Sequence, residues 1–114
     1  MCGITGYCSY NKPIDKHVLS KMTNSLEHRG PDDSGVFVSA DKKVGFGHRR
    51  LSIIDLSQSG HQPMCNENET IWITFNGEIY NYQELRIELQ KRNHQFKSNT
   101  DTEVIIHAYE EYGT

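Results

Sequence analysis

The second residue of the chain is a cysteine, in MCGITGYC. Two chemistries are open to it. As an unpaired thiol at the start of a strand it would be a small buried hydrophobe, the commoner behaviour of free cysteine. If Met1 is removed, Cys2 becomes a nucleophile with its own α-amine in reach as a base. Three other places bear on the choice. In FNGEIYNY, Asn76-Gly77 between apolar runs is a strong hairpin signal, yet only a brief Ile-Tyr follows before a helix cap, so no return strand is expected. A strand ending in Asn76-Gly77 can instead present a side-chain amide and an unobstructed N–H side by side, the donors an oxyanion needs. Arg50, in GHRRLSIID, is either a solvated strand-end cation or a fork for a carboxylate. Asp101, in SNTDTEV, sits where the helix dipole already favours a carboxylate, with or without a ligand. Arginine, acid and amide would together suit the carboxylate, ammonium and side-chain carbonyl of an amino acid. Spacing alone does not bring them together.

Other chemistries have less support. His17, His28, His48, His61, His94 and His107 form no HExxH or comparable pair on one helical face, so no metal is expected and the histidines read as surface or structural residues. The three cysteines contain no CxxC and are odd in number, which argues against a disulfide framework and for a reducing, cytoplasmic setting. The local signature of a papain-type cysteine is absent. A net charge of −3 with scattered basic residues gives no reason to expect nucleic acid. No signal-peptide pattern opens the chain, and no apolar run approaches the ~20 residues of a membrane span, so no membrane association is expected.

The elements that must position these residues can be read from pattern. The 114 residues suit one domain, and the 35% apolar content is low enough to suit a chain that completes its core against something else. CGITGYCSY reads as a strand. IDKHVLSKMTNSLEHRG reads as an amphipathic helix with Asp15 as N-cap, Val18, Leu19, Met22 and Leu26 at helical spacing, and Gly30 as the stop. GVFVSA and KVGFGHRRL read as a hairpin joined by DKK, and SIIDLSQSGHQP as a loop. ETIWITFNG, with its β-branched and aromatic residues, is the clearest strand. Two further helices carry capping boxes, Asn81-x-x-Glu84 with Leu85 and Leu89 on one face, and Thr100-x-x-Glu103 with Gly113 at the end. HQFKSN between them leaves room for a short strand.

MCGITGY, HRGPDDSG, GHRRLSIIDLSQSGHQPM, TFNGEIYNYQELR and SNTDTEVIIHAYEEYG also occur, in this order and spacing, in a known family. The chain resembles, over its whole length, the N-terminal glutaminase domain of glutamine-hydrolysing asparagine synthetases, which are class II amidotransferases. RLSIID with NGEIYN is more similar to that branch than to the amidophosphoribosyltransferase or glucosamine-phosphate synthase branches. The resemblance implies an α+β fold, the α/β/β/α sandwich of N-terminal-nucleophile hydrolases. It implies that residues 1–114 are the N-terminal part of a type 2 glutamine amidotransferase domain, with the remaining strands and the synthetase domain lying beyond Thr114. Core strands missing in this way would leave apolar surface uncovered and make the chain's stability and activity depend on them.

By the same resemblance Cys2 is the nucleophile and Asn76 and Gly77 stabilise the oxyanion during hydrolysis of L-glutamine to glutamate and ammonia. Arg50 holds the substrate carboxylate and Asp101 its ammonium. Leu51, Ser52, Ile53, Ile54 and Glu78 line the pocket, partly through backbone groups, and Arg29, Gly30, Pro31 and Asp32 form a supporting loop. Cys8 and Cys65 match no catalytic position and are structural. No cofactor is implied in this domain, whereas ATP and magnesium are implied for the synthetase domain that uses the ammonia to amidate aspartate. Other acceptors (a cell-surface sugar or a secondary metabolite) and a non-catalytic glutamine-binding fragment are the alternatives. A homodimer is left open, because nothing in the sequence reports on oligomeric state.

Overall fold

The computed structural model describes residues 1–52 and 57–114. Its centre is a three-stranded antiparallel sheet made of β1 (Gly3–Cys8), β2 (Asp33–Val38) and β3 (Val44–Arg50), in the order β1-β3-β2. Gly3 pairs with Arg49, and Asp33 with Arg50. The β2–β3 connection is the expected hairpin, with Lys42 at φ 56 and the Ser39 hydroxyl accepting from the N–H of Val44.

Alternation along β3 divides its side chains between two layers. On one face lies α1 (Lys16–Asn24), which buries Leu19 and Thr23. The helix approaches so closely that a Cβ added at Gly47 would lie 2.0 Å from Thr23 Oγ1. On the other face, Phe46 meets Phe37, which stacks on Trp72 of a second sheet at 4.0 Å between centroids. That second sheet consists of β4 (Met64–Cys65) antiparallel to β5 (Trp72–Ile73). The chain is thus an α+β structure with antiparallel sheets.

Two helices complete it, α2 (Tyr82–Lys91) and α3 (Asp101–Tyr112). They run in the same direction: Ile79 ahead of α2 bonds Asp101 at the start of α3, and Arg92 after α2 bonds Glu111 near its end. Leu89, Val104 and Ile106 are buried among them. No helix among the described residues is long and apolar enough to cross a membrane.

Four expectations are corrected. The first helix stops at Asn24, and residues 25–30 continue as tight turns, such as Gly30 N–H to Glu27 O, that lay Leu26 against Gly3. Residues 69–77 form a strand only at Trp72–Ile73, because side chains take the neighbouring backbone groups. Asn66 Oδ1 accepts from Thr70 and Ile71, and Gln62 Oε1 accepts from Phe75. HQFKSN forms no strand, since Glu103 takes the N–H groups of Lys97 and Ser98 while Arg86 donates to Ser98 O. Neither capping box forms as written. Asn81 and Thr100 occupy the N-cap positions without side-chain cap bonds, and Glu103 caps the preceding loop instead. Asp15 does cap α1, accepting from His17 and Val18.

His48 lies on the inner face of β3, 1% exposed, with Nε2 3.3 Å from Phe75 O. Burial holds its pKa below the usual 6.5; the Phe75 carbonyl and Asp33 oppose this, while Arg50 and His61 add to it. Below pH 6.5 the unfolded chain therefore takes up a proton that the folded chain refuses, and stability falls on acidification. Urea unfolding between about pH 7.5 and pH 5.5 is expected to show a shallower loss in His48→Gln, which keeps a donor for Phe75 but cannot titrate. Equal slopes in the two proteins would contradict this assignment.

Candidate active site

Arg49 and Arg50 are adjacent in sequence, and strand alternation sends them to opposite layers. Arg49 faces α1, where Nε donates to Gly30 O at 2.9 Å and Nη2 lies 3.4 Å from Glu27. Arg50 faces the inner layer and lines a cavity of about 400 Å³, a volume within the ordinary range of small-molecule sites. Arg50 is 7% exposed, its Nη1 donates to Ser57 O at 2.7 Å, and among the described residues no carboxylate forms an ion pair with it.

Cys2, Arg50, Leu51, Asn76, Gly77, Glu78 and Asp101 all line this cavity. Cys2 reaches it from the start of β1, where the Leu51 N–H donates to its sulfur at 3.2 Å and fixes the thiol beside the end of β3. Asp101 reaches it from the first turn of α3. The residue is 6% exposed and its Oδ2 accepts from Ile79 N–H at 2.8 Å. That bond also pins the loop carrying Asn76 and Gly77 against α3. One cavity therefore combines a thiol, a buried cation, a buried anion and a loop with amide donors.

Ser52 is not among the lining residues; its N–H is taken by Asp32 Oδ2 at 2.8 Å. Ile53 and Ile54 lie outside the described residues. Cys8 is exposed and Cys65 half-buried, where desolvation raises its thiol pKa. Neither lines the cavity.

The 29–32 loop is a clamp over the strand ends. Arg29 Nε donates to Cys2 O at 3.3 Å, and Asp32 N–H donates to Arg50 O at 2.9 Å. Gly30 lies so near the β3 backbone that an added Cβ would be 2.4 Å from the carbonyl of Arg49. Any side chain there would push Arg49 and Arg50 away.

Sequence reasoning missed Gln62. It is buried, lines the cavity, accepts from Phe75 N–H at 2.7 Å and donates to Thr102 Oγ1 at 3.2 Å, so it joins the strand end ahead of Asn76 to α3. Lone glutamines carry no motif, and only the pairing of 62 with both 75 and 102 reveals the role. Met1, Gly60, Phe75, Tyr80, Thr100 and Thr102 also line the cavity, none of them expected there from the sequence.

The chain matches the family model described as "Glutamine amidotransferase domain" over residues 1–114. It is 45% identical over 116 residues to asparagine synthetase [glutamine-hydrolyzing] 3 of Bacillus subtilis, covering 98% of this chain and 18% of that protein. Asparagine synthetase [glutamine-hydrolyzing] 1 of the same organism is 47% identical over 118 residues, with 98% and 18% covered. The corresponding enzyme 1 of Arabidopsis thaliana is 45% identical over 115 residues, with 99% and 19% covered. The chain thus spans about a fifth of the length of these relatives. A thiol at the second position, an arginine and an aspartate facing one cavity, and a match running from Met1 to Thr114 lead to one conclusion: the chain belongs to the glutamine amidotransferase domain family.

Proposed function

We propose that this chain is the glutamine-hydrolysing part of an asparagine synthetase, with an N-terminal-nucleophile α/β/β/α sandwich completed by sequence beyond Thr114. The observation that carries the reading is the meeting of Cys2, Arg50, Asn76, Gly77 and Asp101 in one cavity. Arg50 and Asp101 are complementary to the α-carboxylate and α-ammonium of a free amino acid, and a buried guanidinium can hold the carboxylate through two parallel hydrogen bonds. A ligand anchored at those two charges extends its side-chain amide toward Cys2 and the Asn76-Gly77 loop.

Removal of Met1, which lines the same cavity, frees the α-amine of Cys2. An α-amine titrates ordinarily near ~7.7–8.0, close enough to neutrality to accept the thiol proton. The sulfur then attacks the amide carbonyl carbon, and the Asn76 side chain and Gly77 N–H stabilise the oxyanion. Loss of one such donor costs about 3 kcal/mol of barrier height. The ammonium returns its proton to the amide nitrogen as the C–N bond breaks, releasing ammonia. Water attacks the remaining thioester, glutamate leaves, and the thiol is restored.

The ammonia passes to a synthetase domain, in the cytoplasm, that amidates aspartate. Relatives named as asparagine synthetases, about five times longer than this chain, support that partnership. The Arg50–Asp101 cavity suits an amino acid rather than a nucleotide, so ATP and magnesium are assigned to the second domain.

Two substitutions test the reading in the longer protein that carries this sequence. Cys2→Ala is expected to abolish glutamate release while sparing synthesis from added ammonia; glutamate release that persists would rule out the mechanism. Arg50→Lys keeps the charge but loses the fork, so kcat/KM for glutamine should fall at least about tenfold. Unchanged kinetics would remove Arg50 from the carboxylate site.

A further inference from the structure

We propose that His94, His107 and Glu110 form a zinc-class metal site, separate from the Cys2 cavity and independent of the function assigned to it. Sequence spacing conceals it, because His94 comes from the segment that returns from α2, thirteen residues before His107. On α3 itself, His107 and Glu110 are three apart and share a face.

Three ligand atoms converge. His94 Nδ1 is 3.3 Å from His107 Nδ1, His107 Nδ1 is 3.1 Å from Glu110 Oε2, and His94 Nδ1 is 3.4 Å from the same oxygen. A tetrahedral ion with bonds of about 2.0–2.1 Å spaces its ligands at about 3.3–3.4 Å, so the triangle already has the dimensions of one face of such a site. Two imidazoles and one carboxylate leave a fourth position for water, a donor set that zinc takes and that other imidazole-binding first-row ions share.

The surrounding groups orient the ligands as metal sites require. His94 Nε2 lies 2.9 Å from Glu111 Oε2, and His107 Nε2 lies 3.5 Å from Glu103 Oε1. With each Nε2–H directed to its carboxylate, both Nδ1 lone pairs turn toward Glu110 and toward each other. Asn66 Nδ2 donates to Glu110 Oε1 at 2.7 Å, leaving Oε2 for the shared centre. Glu67, 3.8 Å from His107 Nε2, adds negative charge, and Arg92 is occupied by Glu111. In that tautomer three electron-rich atoms face one point, where a cation would replace the protons that otherwise bridge His107 to Glu110 and His94.

The site would brace α3 against the returning segment. Asp101 lies six residues earlier on the same helix, about 9 Å along its axis at 1.5 Å per residue. A bound ion would therefore hold steady the helix that presents Asp101 to the cavity.

Titration of the chain with Co²⁺ as an optical probe, followed by displacement with Zn²⁺, tests the site. We expect one equivalent to bind, with the visible bands of tetrahedral cobalt and no thiolate-to-cobalt band in the near ultraviolet. The unfolding temperature should rise with Zn²⁺ concentration. His94→Gln and Glu110→Gln alter half-buried and exposed positions, so the fold, checked by circular dichroism, should survive. Each should weaken binding at least about tenfold, and Glu111→Ala, which removes an orienting partner, by about 10–100-fold. Absence of saturable one-to-one binding would overturn the proposal. So would a thiolate band that grows with binding, or an affinity unchanged in the folded His94→Gln and Glu110→Gln variants.

Discussion

The end of β3 is held from both layers at once, and the cavity depends on that restraint. On the outer side Arg49 ties down Gly30, and the 29–32 loop returns bonds to Arg50 O and Cys2 O. On the inner side the Leu51 N–H holds the Cys2 sulfur. Of these the Arg49–Gly30 bond is buried, and such a bond contributes modestly when made but leaves a costly unsatisfied group when one partner is lost. The two strand ends, with Cys2 and Arg50 on them, are consequently fixed as a unit.

The opposite wall is organised by side chains in place of a strand ladder. Gln62 bridges Phe75 to Thr102, His48 faces the Phe75 carbonyl, and Asp101 accepts from Ile79. A loop tied at 75 and 79 can hold Asn76 and Gly77 between the ties with their donors free of a sheet. Asp101 serves twice, as a tie for that loop and as the negative end of a cavity whose positive end is Arg50. Under the proposed function, these opposite charges, each largely removed from water, are what would favour a zwitterion over a singly charged ligand.

Local rules made part of this legible in the sequence. The β2–β3 hairpin and the Asp15 cap follow from turn and capping chemistry, which acts over a few residues; Asn81 and Thr100 do occupy the N-cap positions of α2 and α3, but without the expected cap bonds. The strand expected at 69–77 failed because Asn66 and Gln62, each several residues away, take its backbone groups, and propensity does not report on such competitors. Cys2, Arg50, Asn76, Gly77 and Asp101 were individually ambiguous. Their motifs resembled a family as a set, and the cavity brings them together as lining residues. Gln62 and the His94–His107 pair stayed hidden because each acts only through residues distant in the chain. The split between Arg49 and Arg50 needed the orientation of β3, since HRR alone does not say which arginine turns inward.

In the proposed function Cys2, with Met1 removed, is a thiol poised for a glutamine side chain held by Arg50 and Asp101. A glutamine analogue bearing an electrophilic ketone in place of the amide tests this directly, with mass spectrometry locating the adduct among Cys2, Cys8 and Cys65. A single adduct on Cys2 is expected, suppressed by excess L-glutamine but not by D-glutamine. Labelling spread over exposed Cys8 and the other cysteines, or Cys2 labelling that L-glutamine fails to protect, would contradict it.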